Sequence, residues 1–257
     1  MRLPDQKART GWAALRAATP ARIGLARSGA SIGTRDHLAF QLDHARARDA
    51  VHEPFDVAAL AKGVAERRLA FVRLHSAAAE RATYLARPDL GRRLDERSRA
   101  ELRNVAHRHD IVFVVADGLS ARAVVSHALP VLDLVLPPLL RDAWRVGPIA
   151  IVEQGRVAIG DDIGQALDAT LVAVLIGERP GLTTPDSLGI YLTWHPVVGR
   201  VDAERNCLSN IRPEGMPYAQ AARRLVYLCT QARRTGQTGV ALKDLSAEAL
   251  QVPLRSD

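Results

Sequence analysis

The stretch LVAVLIGERPGL, Leu171 to Leu182, limits what this chain can become more than any other. Its first residues, Leu171 to Ile176, are all apolar and do not alternate with polar ones. That is the pattern of a short strand covered on both faces, as in a parallel sheet flanked by helices. The run stops at Gly177-Glu178-Arg179-Pro180-Gly181. There Pro180 turns Arg179 away from helix, and the glycines permit tight turns. A carboxylate and a guanidinium therefore sit just past the carboxyl end of a central strand, the edge at which open α/β sheets bind ligands. The plain alternative is a surface turn whose Glu178 and Arg179 are merely solvated.

The flanking sequence repeats the theme. Ile111–Val115 and Ile149–Glu153 predict two more buried strands, and Ile190–Trp194 a fourth. After the first of these, Ala116-Asp117-Gly118-Leu119-Ser120 predicts a tight turn in which Ser120 caps a helix starting at Ala121. The first amides of that helix can receive a phosphate or an amide. Pro130 and the Pro137-Pro138 pair are expected to divide the helical region up to Trp144 into segments. Gln154–Val157 turns into a short helix ending by Asp168. Residues 202–207 are expected to be irregular and 209–215 a loop. Tyr218–Arg234 is expected to be an amphipathic helix, and the chain from Leu242 a poorly ordered tail. Strand and helix thus alternate from 110 to 240, which predicts an α/β fold with a parallel sheet and right-handed crossovers.

The first part of the chain reads differently. A short helix, Trp12–Ala18, is closed by Thr19-Pro20. Gly24, Gly29 and Gly33 then shape a basic loop with neither Walker nor dinucleotide spacing. Thr34 starts a helix to about Val51, with Leu38, Phe40, Leu42 and Ala45 as its apolar positions. A helix from Val57 to Phe71 follows, and Leu74–Ala82 either continues it or makes a separate turn. Tyr84–Leu94 is a loop shaped by Pro88 and Gly91, in which Arg87, Arg92 and Arg93 offer forks for a phosphate or a partner carboxylate. A solvated arginine face is the alternative there. Residues 95–108 form a charged helix. The expected division is a helical N-terminal region, 1–105, and a sheet domain, 106–257.

Net charge is +7 and the pI is about 10.1, which raises the question of nucleic acid. The charge is nearly all arginine, scattered among alanines, with lysine only at Lys7, Lys62 and Lys243. Codon bias explains that distribution, and no aromatic-rich basic strand or zinc-finger spacing accompanies it. No nucleic-acid partner is expected. Cys207 and Cys229 are too few for a disulfide framework and point to a reducing cytosol. No apolar stretch of signal-peptide length opens the chain, and no charge-free window reaches membrane-span length. His37, His44 and His52 lack metal-pair spacing, so no metal site is expected. The G-x-S-x-G, H-E-x-x-H and C-x-x-C motifs are missing. One catalytic reading survives, a free-standing α/β hydrolase or transferase using Cys207. Arg205 would lower its thiol pKa, and His195 is the base nearest in sequence.

Several phrases carry more. TPARIGLARSG from Thr19, DHARARDAV from Asp43, YLARPDLGRRL from Tyr84, VADGLSARAV from Val115, GERPGL from Gly177 and RNCLSNIRPEG from Arg205 occur in order. Together they resemble the small (light) subunit of ethanolamine ammonia-lyase over about Thr19 to Asp244. The resemblance implies a Rossmann-like domain that holds adenosylcobalamin against a separate large subunit, to which the helical N-terminal region packs. The large subunit carries the substrate site. There, homolysis of the cofactor's cobalt–carbon bond leads from ethanolamine to acetaldehyde and ammonia. This chain would be the non-catalytic, cofactor-binding member of a hetero-oligomer. Three cobalamin contacts carry over: Val157, Glu178 and Cys207. Glu178 can accept hydrogen bonds from corrin amides or a ribose hydroxyl, while Val157 and Cys207 can pack on apolar ring surface. The ADGLS turn, Asp117 to Ser120, is a secondary candidate. No Asp-x-His occurs, so the cofactor is expected to keep its own base on cobalt. Enteric relatives have a longer N-terminal extension that routes them to a protein-shelled microcompartment. The short arm before Thr19 makes plain cytosol the expectation, with microcompartment residence an open alternative.

Overall fold

The computed structural model describes residues 6–19 and 21–246. Pro20 and most of the expected tail lie outside the described residues. Helix α1 (Gln6–Ala17) and a small hairpin, β1 (Arg27–Ser28) with β2 (Ser31–Ile32), precede the long helix α2 (Thr34–His52). Helix α3 (Val57–Glu66) starts where Asp56 Oδ1 accepts the Ala59 N–H at 2.8 Å. It ends five residues before the sequence expectation, because the chain turns at Arg67–Arg68 into strand β3 (Phe71–His75). The short helices α4 (Arg81–Ala86) and α5 (Glu96–Leu102) follow. After them come β4 (Ile111–Ala116), α6 (Ala121–Arg141), β5 (Ile149–Glu153), α7 (Ile159–Ala166), β6 (Leu171–Gly177), β7 (Leu188–Trp194), β8 (Arg205–Ile211) and α8 (Tyr218–Thr235).

The main sheet has the order β3-β5-β4-β6-β7-β8. The pairs β3–β5, β5–β4 and β4–β6 are parallel, as the α/β expectation required. Strands β7 and β8 are antiparallel additions on one side, with Val174 opposite Tyr191 and Tyr191 opposite Cys207. Two segments thus depart from the sequence reading. Phe71–His75 is an edge strand whose Val72 and Leu74 are buried while Phe71 and Arg73 are exposed. Arg205–Ile211 is a strand rather than an irregular stretch, with Arg205, Leu208 and Ile211 buried and a register shift against β7 in place of strict alternation.

Each face of the sheet has its own core. On one face, Phe113, Val115, Ile151 and Leu175 pack under α3, α6 and α8. On the other, Val112, Val114, Val172 and Val174 pack with Leu102 of α5 and Ile159 and Ile163 of α7. Helix α6 starts as expected, with Ser120 Oγ accepting the Ala123 N–H at 3.4 Å. It runs unbroken through Pro130, Pro137 and Pro138. Among the described residues, α6 alone is long and apolar enough to cross a membrane. Its Val124, Leu132, Val135 and Leu139 are fully buried in the first of these cores.

Candidate functional site

The turns that leave β4, β5 and β6 meet at the carboxyl edge of the sheet. Asp117, just past β4, is buried, and its Oδ1 accepts the N–H groups of Gly118 at 2.9 Å and Gly155 at 3.0 Å. Arg81 of α4 sends Nη1 to Gly118 O at 2.9 Å, to Gln154 Oε1 at 3.2 Å and to Asp117 Oδ2 at 3.4 Å. Burial pushes the Asp117 carboxyl up to about 6, with Arg81 opposing the shift. This carboxylate ties the turn after β4 to the turn after β5.

The turn after β5 is clamped from outside by the loop that the sequence marked as basic. Tyr84 is buried, with the Arg81 guanidinium 4.7 Å and the Arg156 guanidinium 4.4 Å from its ring centroid. Its hydroxyl donates to Gly155 O at 3.3 Å, and Arg156 Nη2 donates to Tyr84 O at 2.9 Å. The Arg156 N–H donates to Gly91 O at 2.8 Å. A Cβ at Gly91 would lie 3.1 Å from the Tyr84 ring and 3.0 Å from Arg156 Cγ, so a larger residue would make these neighbours shift. The next residue, Val157, is half-buried against the core beneath α7. It borders a cleft of about 600 Å³ that Arg92, Arg93, Arg156 and Arg200 also line.

Helix α7 is pinned to β8 by a buried ion pair. Arg205 Nη1 and Nη2 donate to Asp161 Oδ1 and Oδ2, each at 2.7 Å, and both side chains are 1% exposed. Nη1 also donates to Thr193 Oγ1 at 2.9 Å and Nη2 to Arg200 O at 3.0 Å. Arg205 is therefore committed to Asp161. It does not lower the Cys207 thiol pKa, as the nucleophile reading required.

Glu178 and Cys207 come together around Tyr191. Glu178 Oε2 accepts the Ser187 hydroxyl at 2.6 Å and the Asn210 N–H at 3.1 Å. Glu178 also lies against the Cα of Gly189, where an added Cβ would be 3.0 Å from Oε1. Tyr191 and Cys207 are cross-strand partners, and the hydroxyl lies beside the thiol. Desolvation, helped by the nearby Glu178 carboxylate, raises the Cys207 thiol above its ordinary value, although the residue is open to solvent. Tyr191 is raised as well, by desolvation first and then by Cys207 and Glu178. Val157 and Tyr191 pack against the same core, so Val157, Glu178 and Cys207 belong to one face of the sheet near its carboxyl edge. His195 follows the far end of β7, where Trp194 pairs with the first residue of β6.

The ADGLS turn lies at this edge but is closed. Gly118, at φ +58°, leaves room for Gly177 O only 2.3 Å from where a Cβ would be. Ser120 is fully buried and spends its hydroxyl on Pro185 O at 3.0 Å while capping α6. The N–H groups of Gly118, Leu119 and Ser120 donate to Asp117 Oδ1, Gly177 O and Asp117 O, so the turn itself offers no amide to an anion. Sequence reasoning passed over Tyr191. A tyrosine that interrupts an apolar strand was its only signal, and packing explains such a residue as readily as binding does. A separate apolar cleft of about 720 Å³, lined by Leu134, Pro138, Val226 and Tyr227, lies on the opposite face and includes none of the expected residues.

Comparison with known proteins adds a family to this geometry. The family model described as ethanolamine ammonia-lyase light chain matches residues 9–243. The chain is 54% identical over 246 residues to the ethanolamine ammonia-lyase small subunit of Pseudomonas aeruginosa (strain UCBPP-PA14), covering 94% of this chain and 90% of that one. It is 55% identical over 237 residues to the small subunit of Azotobacter vinelandii, with 91% and 88% covered. The Ralstonia nicotianae small subunit is 54% identical over 247 residues, with 95% and 90% covered.

Proposed function

The chain belongs to the ethanolamine ammonia-lyase light chain family, and from that we propose that it is the small subunit of an ethanolamine ammonia-lyase, holding adenosylcobalamin against a large subunit. On this reading the complex converts ethanolamine to acetaldehyde and ammonia. The cofactor, when bound, supplies the radical reactivity through its cobalt–carbon bond. This chain binds and orients, and supplies no catalytic group.

The observation that carries the reading is the grouping of Glu178 and Cys207 around Tyr191 on one face of the sheet. Among the described residues, the hydrogen bonds Glu178 accepts fall on Oε2. Two of its donors are thus fixed in the fold, and the carboxylate keeps acceptor capacity for an amide N–H or a ribose hydroxyl. Cys207 presents a small, neutral, weakly polar surface, since its thiol is held above the ordinary range. Val157 adds an aliphatic contact at the edge of the arginine-lined cleft. The set suits a ligand that is apolar on its faces and amide-rich at its rim.

The same raised thiol speaks against the hydrolase or transferase alternative. A nucleophilic cysteine needs a lowered pKa and a base, whereas Cys207 has a carboxylate and a phenol for neighbours.

The N-terminal region, 1–105, is assigned to the contact with the large subunit. Leu38, Phe40 and Leu42 of α2 are 57%, 42% and 52% exposed, and Ala50 is the buried residue of that helix. Leu38 and Leu42 are one turn apart and share a helix face, and exposed apolar side chains on one face fit a surface that a partner covers. The assembled enzyme is assigned to the cytosol. Residence in a protein-shelled microcompartment is the alternative location.

Replacing Glu178 by Gln keeps the side chain's shape and removes the charge. Corrinoid affinity of the reconstituted complex is expected to fall by about 1–3 kcal/mol, the scale of a lost charged hydrogen bond. Equilibrium titration with cyanocobalamin reads the change. An unaltered affinity removes Glu178 from the contact set.

A further inference from the structure

We propose that the cleft beside Val157 is an anion site for the phosphodiester of the cofactor's nucleotide tail, with Arg92, Arg93 and Arg156 as its donors. This rests on the cobalamin-holding reading and extends it to a subsite that the three inherited contacts do not include.

Several of the charges around the cleft are already spent. Asp89 is held by Arg87 through two hydrogen bonds of 2.9 and 2.7 Å. Arg200 is occupied by Glu204 and by the carbonyl oxygen of His195. Asp161 belongs to Arg205. Asp202 is fully exposed, 3.7 Å from Arg205 Nε. The side chains of Arg92 and Arg93 are exposed and have no ion-pair or hydrogen-bond partner among the described residues. Arg156 spends Nη2 on Tyr84 O and its Nε is buried, which leaves Nη1 as the donor it can offer to the cleft. A surplus of guanidinium donors therefore converges on one cleft.

The backbones that carry these donors are held in place, and so is the Arg156 side chain. Arg92 ends the short turn Leu90–Arg92, and the Arg93 carbonyl accepts the Ala77 N–H at 2.8 Å. Arg156 is stacked on Tyr84, and its backbone is tied to Gly91. A side chain fixed before the ligand arrives, as Arg156 is, loses less entropy on binding it. Guanidinium forks match phosphate oxygens in pairs, and an arginine cluster of this kind fits a tetrahedral anion approached from several sides. Val157 gives the same cleft an aliphatic wall. A phosphodiester attached to an apolar base and a sugar meets both features. A carboxylate of the large subunit would use only the charge.

The test compares cobalamin with cobinamide, which has the same corrin but lacks the phosphodiester-linked nucleotide. Arg92 and Arg93 are exposed, so the Arg92→Ala/Arg93→Ala double variant leaves the core intact. The complex with the large subunit is titrated with each corrinoid and followed by visible absorption. Loss of charge-assisted pairs should weaken cyanocobalamin about tenfold or more. Cobinamide affinity should stay within about twofold, because charged contacts to the tail leave the corrin untouched. Equal weakening of both ligands, no weakening of either, or loss of the large subunit in gel filtration overturns the proposal. The last of these outcomes makes the cleft a docking face for carboxylates. Failure of the unmodified complex to bind either corrinoid is a different result, and it overturns the cofactor-holding reading itself.

Discussion

Replacement of Arg205 by alanine is expected to destabilise the chain by about 3–5 kcal/mol, because it strands a carboxylate that is out of reach of water. Asp161 and Arg205 are each 1% exposed in their side chains, and the pair joins the first turn of α7 to β8. Desolvation already holds the Asp161 carboxyl above its usual range, with Arg205 opposing. Without the guanidinium the native-state pKa rises further above the unfolded value. The native state then binds a proton that the unfolded state has lost, so the variant loses stability as pH rises through that range. Its deficit is largest near neutral pH and shrinks in acid. Urea unfolding at neutral and acid pH reads both effects. A pair replaced together, Arg205→Met with Asp161→Leu, should recover most of the loss, since neither charge is left unpaired. A single variant as stable as the parent at neutral pH would mean the pair does not hold α7 to the sheet.

Tyr84→Ala should cost a similar amount, about 3–5 kcal/mol, through the cavity left by a buried aromatic ring. The effect reaches further than stability. Tyr84 is 1% exposed, carries Arg81 and Arg156 on its ring and donates to Gly155 O. Its removal frees the turn that positions Val157 and one wall of the arginine cleft. Tyr84→Phe is the control, because it keeps the ring and the stacking and loses only the 3.3 Å hydrogen bond. Thermal unfolding should rank the three proteins as parent, Phe variant and then Ala variant, with the larger gap at alanine. Equal losses for Phe and Ala would assign the role to the hydroxyl and not to the ring.

Much of the fold was legible from apolar runs. Ile111–Val115, Ile149–Glu153 and Leu171–Ile176 are buried on both faces, so their composition alone marks them as central strands. Edge strands escape that test. In Phe71-Val-Arg-Leu-His only Val72 and Leu74 face a core, and five alternating residues next to a helix do not announce a strand. Arg205–Ile211 is harder still, since its inward positions include an arginine whose partner sits on α7. Strand direction was legible in principle. Between β6 and β7 lie ten residues without a helix, and a parallel crossover takes a dozen or more. The prolines in α6 misled for the opposite reason. Helix α6 packs along the sheet and against α8, and that burial outweighs the weakened backbone pairing at each proline.

The candidate site was legible in a different way. Val157, Glu178 and Cys207 came from the family resemblance, and nothing in their spacing shows that they share a face. Strand register does that, by setting Tyr191 opposite Cys207 and putting Gly189 under Glu178. The closed ADGLS turn shows the converse. Its sequence has the composition of a ligand loop, yet the glycine is there so that Gly177 can pass close by. Only the fold separates a glycine that admits a ligand from one that admits another turn.

The central claim is that this chain forms one side of a corrinoid site and a separate large subunit forms the other. Equilibrium dialysis of radiolabelled cyanocobalamin against the large subunit, this chain and their mixture tests it most directly. The account predicts strong, saturable retention by the mixture and little by either protein alone. Equal retention by the large subunit with and without this chain would contradict it.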